Sequence, residues 1–165
     1  MHPVTLNALA QFPTQLGEHY AAIPQHHRHW SPPSWDGVPS EPFTAIEQLC
    51  HVRDIEIDGY QVRIQRVLNE TNPFLPGIDG HKLATERAYA TADADTVLNE
   101  IHVARRKTIA VLAGLSTEDF NRPANFQDYG PVRLRSLIHY LCSHDQQHIA
   151  GLQWLLGKIE STSHR

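Results

Sequence analysis

The sequence predicts an all-α protein, a four-helix bundle with long connections to its second and fourth helices. Four segments carry apolar residues at steps of three and four, the period of a helix that buries one face. No segment shows the strict alternation of a convincing strand. A chain of 165 residues can bury a core of this kind as one domain, residues 1–165.

The first helix is expected from Val4 to Ile23, with Pro13 either kinking or restarting it. The proline- and serine-rich stretch Pro24 to Pro42 then predicts a long ordered loop, which Trp30 and Trp35 pin to the bundle.

Ser40 is the expected N-cap of the second helix, which continues to about Glu70 before Asn72-Pro73 ends it. A short helical piece is expected from Leu83 to Tyr89.

The third helix is expected to begin at Asp93 or Asp95 and to end at Ala113, where Gly114 provides a stop. The fourth helix is expected from Val132 to Leu156, with Gly157 just beyond it.

The composition excludes several classes of partner. The formal net charge is −4 and no run of Lys or Arg stands out, so no nucleic acid or anionic membrane is expected. No apolar run has transmembrane length and no secretory segment opens the chain, which predicts a cytoplasmic protein. Cys50 and Cys142 lie in helical patterns without a CxxC motif and are expected to be reduced thiols.

Two histidines occupy the apolar stripe of the fourth helix. From Leu137 the stripe continues through Leu141, His144, His148 and Leu152. Side chains four residues apart on a helix reach a common point, so both imidazoles can bind one metal ion. The alternative is that both are core histidines, hydrogen-bonded to each other, to backbone or to water.

A third ligand has to come from another helix, and His51 and His102 are the candidates. His51 is favoured because it lies in line with further apolar residues of the second helix. His102 lies among Glu100, Arg105 and Arg106, a pattern typical of an exposed face. The alternative for His51 is a boundary histidine paired with a carboxylate of its own helix, Asp54 or Glu47.

The acidic neighbours of these histidines are expected to play supporting parts. Asp145 points about 100° away from His144, so it is expected to anchor its helix, for example to the preceding loop. Asp54 and Asp58 are candidate acceptors for the ring N–H of His51 that does not face the ion. Arg53 and Glu56 are expected on a solvated face.

Together these segments resemble the DinB-like superfamily over nearly the whole chain. The motifs that carry the resemblance are "HWSPPSW", "LCHVRDIE", "NPFLPGID" and "YGPVRLRSLIHYLCSHDQQHIAGL", of which the HDxxH in the fourth helix is the most specific. The resemblance implies an up-down-down-up bundle that carries a divalent metal on His51, His144 and His148.

The characterised members of that family include thiol-dependent S-transferases and a mycothiol-dependent maleylpyruvate isomerase. The first hypothesis is therefore a zinc- or nickel-dependent transferase that joins a low-molecular-weight thiol to a small-molecule substrate. The alternatives are a metal-dependent hydrolase and a non-enzymatic metal-binding stress or structural protein. A homodimer is a further expectation.

No general base stands out in the sequence. His81, Asp79 and His139 are candidates, each with a structural role as the alternative. Trp30, Trp35 and Tyr129 either line the mouth of a pocket or pack the long loops onto the bundle.

Overall fold

The computed structural model describes residues 1–162, in which helices dominate. The long helices are α1 (Pro3–Ala22), α2 (Ala45–Asp54) continued by a π-helical segment (Ile55–Gln61) and α3 (Val62–Asn69), α5 (Ala94–Ala113) and α7 (Leu134–Thr162). Two short helices, α4 (Gly80–Glu86) and α6 (Thr117–Phe120), lie in the connections, and 3-10 turns cover Gln25–His27 and Tyr89–Thr91.

Contacts between the long helices give their directions. Thr5 and His19 of α1 bond to His139 and Gln153 of α7, so these two helices run parallel. Likewise Arg53 contacts Glu100 and Gln61 contacts Thr108, so α2–α3 and α5 are parallel. His51 faces His144 and Gln48 faces His148, which makes α2 and α7 antiparallel. The predicted up-down-down-up bundle is confirmed.

The second long helix differs from the prediction at its start and in its middle. Its N-cap is Thr44, not Ser40: Glu47 Oε2 accepts hydrogen bonds from Thr44 N (2.9 Å) and Thr44 Oγ1 (2.7 Å). Pro42 and Phe43 precede it in non-helical backbone. The π-helical segment adds a residue to one turn, which changes the faces of the residues around it.

A small three-stranded sheet corrects the expectation that no strand exists. β1 (Phe74–Leu75) pairs in parallel with β2 (Pro123–Phe126), which pairs antiparallel with β3 (Gly130–Arg133). The strands have two to four residues, too few for alternation to show in a sequence. Asp128 and Gly130 adopt positive φ in the turn between β2 and β3. The sheet therefore fixes the loop that leads into α7.

Other boundaries also shift. The short helical piece expected at Leu83 to Tyr89 is α4, which begins earlier, capped by the side chain of Asp79. α7 begins at Leu134 and continues through Gly157 to Thr162, because Ile159 extends its buried stripe beyond the glycine. α1 is continuous through Pro13, while the predicted cap Asp93 and stop Gly114 of α5 are confirmed.

A buried ionic cluster around Arg105 joins all four long helices. Arg105 of α5 donates to Glu56 of the π-helical segment, to Asp145 of α7 and to the carbonyl oxygen of Leu9. Thr108 Oγ1 donates to the same Glu56 carboxylate at 2.7 Å. The expectations that Arg105 and Glu56 are exposed, and that Asp145 anchors to a loop, are therefore wrong. Asp145 instead locks α7 to α5 beside His144.

No helix within residues 1–162 has the length and apolarity needed to cross a membrane.

Candidate metal centre

Four side chains from three parts of the chain converge between α2 and α7. His51 lies on α2, His144 and His148 lie one turn apart on α7, and Glu41 precedes α2 in the loop that follows the tryptophans. One potential ligand atom from each of the four lies within 4.8 Å of the others. The two predicted α7 histidines and the favoured His51 therefore meet, whereas His102 lies on α5 in a different groove, between α5 and α1.

The three imidazoles present the same ring nitrogen to one another. His144 Nε2 lies 3.2 Å from His51 Nε2 and 3.2 Å from His148 Nε2. A tetrahedral ion with metal–nitrogen bonds of about 2.0–2.1 Å holds its ligand nitrogens roughly 3.3 Å apart. The observed spacing fits imidazoles around a shared ion, and it is also a hydrogen-bond distance, which is the alternative expected from the sequence.

Gln48 determines which nitrogen of His148 faces this centre. His148 Nδ1–H donates to Gln48 Oε1, so Nε2 of the neutral ring carries the lone pair. The Gln48 amide is held in turn, because its Nε2 donates to Ser40 Oγ (2.8 Å) and to the carbonyl oxygen of Phe43 (3.3 Å). Gly151 permits this packing, since a Cβ there would lie 2.3 Å from Ser40 Oγ.

His51 is held by close packing. The backbone of Gly80, at the start of α4, covers its ring so closely that a Cβ would lie 2.6 Å from His51 Cε1. The Phe43 ring lies against His51 at a centroid distance of 5.1 Å. His51 Nδ1 is buried without a hydrogen bond. The ring orientation therefore comes from its neighbours' shapes.

Glu41 supplies the only carboxylate of this group of four. Its Oε2 lies 3.2 Å from His148 Nε2 and its Oε1 lies 3.6 Å from His51 Nε2, while its side chain stays 39% exposed. Oε2 is nevertheless buried without a hydrogen bond, because the His148 proton is on Nδ1 and two lone pairs face each other. A cation between them would satisfy both.

The electrostatics disfavour protons on His144, His148 and Glu41. Burial lowers the pKa of His144 well below its usual value, and the neighbouring imidazoles His148 and His51 lower it further. Burial also lowers the pKa of His148, although Glu41 acts in the opposite direction. Burial works to raise the pKa of Glu41, but the two imidazoles beside it outweigh this and favour the carboxylate.

The donor set therefore fits a divalent cation. The three imidazole nitrogens are borderline ligands that suit zinc and its neighbours in the first transition row, and zinc also accepts a carboxylate oxygen. The orphaned atom Glu41 Oε2, which faces His148 Nε2, shows that the cluster is not completed by its own hydrogen bonds.

Other residues singled out in the sequence lie elsewhere. Asp54 accepts from Arg53 and Tyr89, and Asp58 pairs with Arg87, so neither supports His51. Three candidate bases have structural partners: Asp79 caps α4, His81 lies against Phe43, and His139 bonds Thr5. Trp35 stacks on Trp154, which supports the packing role of the loop. Cys50 and Cys142 are free thiols, as expected.

Sequence reasoning missed Glu41 because loop residues have no periodicity to reveal their direction. The signal that could have found it is its place between Ser40 and Pro42, at the end of the loop that enters the histidine-bearing helix. The same loop carries Ser40, which holds Gln48.

Comparisons with known proteins agree with this architecture. The solved structure of YfiT from Bacillus subtilis, described as a probable metal-dependent hydrolase with an unusual four-helix bundle topology, superposes with a TM-score of 0.80 at 18% identity. The match covers 94% of this chain and 86% of YfiT and shows a shared fold. No curated protein matches the chain. The family model for the DinB superfamily matches residues 8–151, and the chain therefore belongs to the DinB superfamily.

Proposed function

We propose that this protein is a divalent-metal-dependent hydrolase whose ion is held by His51, His144 and His148. The observation that carries the proposal is the convergence of three Nε2 atoms, with 3.2 Å separating His144 from each of the other two. Zinc and nickel are the ions expected from the ligand type. A small-molecule substrate, a homodimer and a cytoplasmic location remain predictions from the sequence.

An ion with three neutral imidazole ligands and an open position lowers the pKa of bound water to about 7 and polarises substrate oxygens. The chain's own residues supply the rest. Gln48 holds His148 in the correct tautomer, and Gly80 and Phe43 hold the His51 ring. These contacts keep the Nε2 atoms of His148 and His51 in place before substrate binds.

Glu41 is the proposed proton acceptor. Its carboxylate borders the three nitrogens, and its partial exposure lets it release a proton to solvent after accepting one on Oε1, since Oε2 is buried. Hydrolysis is favoured over other reactions because this carboxylate lies where a base for water is needed. YfiT, a protein with the same fold, is described as a probable metal-dependent hydrolase.

Thiol transfer, which the family resemblance implies, would use the same three histidines with a thiolate in place of water. The non-enzymatic alternative gives Glu41 a different role: a fourth protein ligand would close the site and make the ion a structural element. The two roles of Glu41 make opposite predictions for its substitution.

The first test is the ion content of the purified protein. We expect about one divalent ion per chain by elemental analysis, lost in His144→Ala and His148→Ala and much reduced in His51→Ala. His102→Ala is the matched control and should keep wild-type content. Wild-type ion content in the His144→Ala, His148→Ala double variant would refute the site.

The second test separates base from ligand. Glu41→Gln should keep its ion yet lose about 10²–10⁴-fold of any hydrolysis of p-nitrophenyl acetate, since proton transfer is lost. Glu18→Gln, on the exposed face of α1, is the control. Loss of the ion itself would identify Glu41 as a ligand and favour the structural role.

The cobalt-substituted protein tests the transferase alternative. A low-molecular-weight thiol that binds the ion produces a sulfur-to-metal charge-transfer band. A spectrum that does not respond to millimolar thiol would exclude thiol transfer while leaving hydrolysis intact.

A further inference from the structure

Arg63, in the first turn of α3, is a buried cation without a buried anion. Its side chain is only 6% exposed, and no carboxylate within residues 1–162 forms an ion pair with it. Its one hydrogen bond among the described residues is from Nη2 to the carbonyl oxygen of Pro76, at 3.0 Å. An unpaired charge in the protein interior is unfavourable, so this arginine needs a reason.

Two aromatic rings flank the guanidinium and account for part of its environment. Its Cζ lies 4.6 Å from the Phe126 ring centroid and 5.3 Å from that of Tyr60. Gly59 gives it room, since a Cβ there would lie 3.0 Å from Nη1. Cation–π contacts leave the N–H groups in the guanidinium plane free to donate.

The free N–H groups of Arg63 are not completely sealed from solvent. Among the described residues, the side-chain atoms sealed from solvent without a hydrogen bond belong to His27, Glu41 and His51. Arg63 Nε and Nη1 are therefore reachable from outside, although the residue as a whole is buried. Burial also lowers the pKa of Arg63, with Tyr60 and Tyr129 acting in the opposite direction, as expected for a cation that lacks a counter-ion.

This arginine borders the histidine centre through a circuit of aromatic contacts. Tyr60 contacts Arg63 and also lies near His144, at a ring centroid distance of 6.5 Å. On the other side, Phe126 stacks on Tyr129 at 4.8 Å, and Tyr129 contacts Tyr140 at 4.6 Å. Tyr140 lies one turn before His144 on α7, so the circuit closes at the candidate ion ligand.

We propose that Arg63 binds a carboxylate group of the substrate, whose apolar body lies against Tyr129 and Tyr140 and whose reacting group reaches His144. This inference rests on the proposed function and adds the substrate class: a carboxylic acid with an apolar or aromatic body. The planar guanidinium can donate two N–H groups to one carboxylate, and this fork geometry favours a carboxylate over a neutral polar group. Tyr129, which is more than half exposed, offers a wall that such a ligand would cover.

The test compares benzoate with benzamide, a neutral molecule of nearly the same shape, binding to the protein as purified. Saturation-transfer NMR should show benzoate bound about 10–100-fold more tightly than benzamide, the range expected for a hydrogen bond to a charged group. Arg63→Gln should remove this preference. Arg122→Gln is the matched control, because Arg122 also donates to a backbone carbonyl, that of Val67, away from the aromatic circuit.

A second readout shows whether benzoate is bound to the ion instead. In the cobalt-substituted protein, benzoate at saturation should leave the d–d spectrum unchanged if its carboxylate is on Arg63. Equal binding of benzoate and benzamide by wild type would overturn the proposal even if Arg63→Gln failed to fold. An altered cobalt spectrum with full benzoate affinity in Arg63→Gln would overturn it as well.

Failure of this proposal is distinguishable from failure of the metal site. Ion content measures the metal site alone and should be unchanged in Arg63→Gln. A protein without an ion that still prefers benzoate through Arg63 would support the carboxylate site and refute the metal-dependent function. A protein that holds its ion but does not prefer benzoate would support the metal site and refute the carboxylate site.

Discussion

Two polar clusters are buried side by side in this bundle, and they are completed in different ways. In the ionic cluster, Arg105 donates to Glu56, Asp145 and the Leu9 carbonyl oxygen, so its guanidinium is surrounded by acceptors from its own chain. In the histidine cluster, three Nε2 atoms and a carboxylate face one another, and two buried atoms lack any hydrogen bond. The adjacent residues His144 and Asp145 belong to different clusters.

The difference separates a structural role from a binding role. Buried polar groups that satisfy one another fix how helices pack and need nothing from outside. In the histidine cluster Glu41 Oε2 has no such partner, because the proton of His148 is on Nδ1 and the Nε2 that faces Glu41 carries a lone pair. The first cluster therefore holds α5, α7 and the π-helical segment together, and we propose that the second binds a cation.

The largest effect is expected from breaking the self-satisfied cluster. Arg105→Met leaves Glu56 and Asp145 as two unpaired buried carboxyl groups and should lower the free energy of unfolding by about 3–5 kcal/mol. Urea denaturation measures this. Arg106→Met, the exposed neighbour, should stay within about 0.5 kcal/mol of wild type. Similar stability of the two variants would show that the ionic cluster contributes little.

An intermediate effect, on metal affinity, is expected from removing the hydrogen bond between Gln48 and His148. Gln48→Met removes the acceptor of His148 Nδ1–H, which frees the ring to change tautomer and orientation. Loss of such a supporting contact lowers metal affinity by about 10–100-fold. Competition for zinc with a chromophoric chelator measures it, and the exposed Gln65→Met on α3 is the control. Unchanged affinity in Gln48→Met would mean that packing alone orients His148.

Much of this arrangement could be predicted from residue periodicity. The four long helices follow from apolar spacing, and His144 and His148 stood out because they interrupt an apolar stripe. The same test would have revealed Arg105: Ile101, Arg105, Thr108 and Leu112 follow steps of four, three and four, and all are buried. The charge of Arg105 instead predicted an exposed face. A charged residue within an apolar stripe nevertheless indicates a buried polar group, as a histidine does.

The remaining features could not be read from periodicity for physical reasons. Glu56 is buried on the same helix face as Leu49 and Val52, although its charge predicted a solvated face. The π-helical segment changes the faces of the residues that follow it, and nothing in local composition announces the extra residue. Glu41 lies in a loop, where side-chain direction depends on tertiary contacts. The strands have two to four residues, and they pair because the bundle brings the loop after α3 close to the loop before α7.

The smallest expected effect concerns acid, and it tests whether the histidine cluster rejects protons in the folded protein. The pKa of His144 lies well below 6.5 when folded, chiefly because the ring is buried, and returns to about 6.5 on unfolding. Below that pH the unfolded chain binds a proton that the folded chain does not, so stability present above pH 6.5 is lost as pH falls.

The expected loss can be isolated by comparing two proteins. With chelator present, wild type should lose about 1.4 kcal/mol more unfolding free energy than His144→Leu between pH 7.5 and pH 5.5. Asp145, whose pKa burial raises to about 7 against the opposing effect of Arg105, changes stability with the opposite sign in both proteins and cancels in the difference. Identical pH profiles would mean that His144 binds a proton as readily in the folded protein as in the unfolded chain. The cluster would then hold a shared proton rather than three free lone pairs, and the reason for expecting a cation there would be gone.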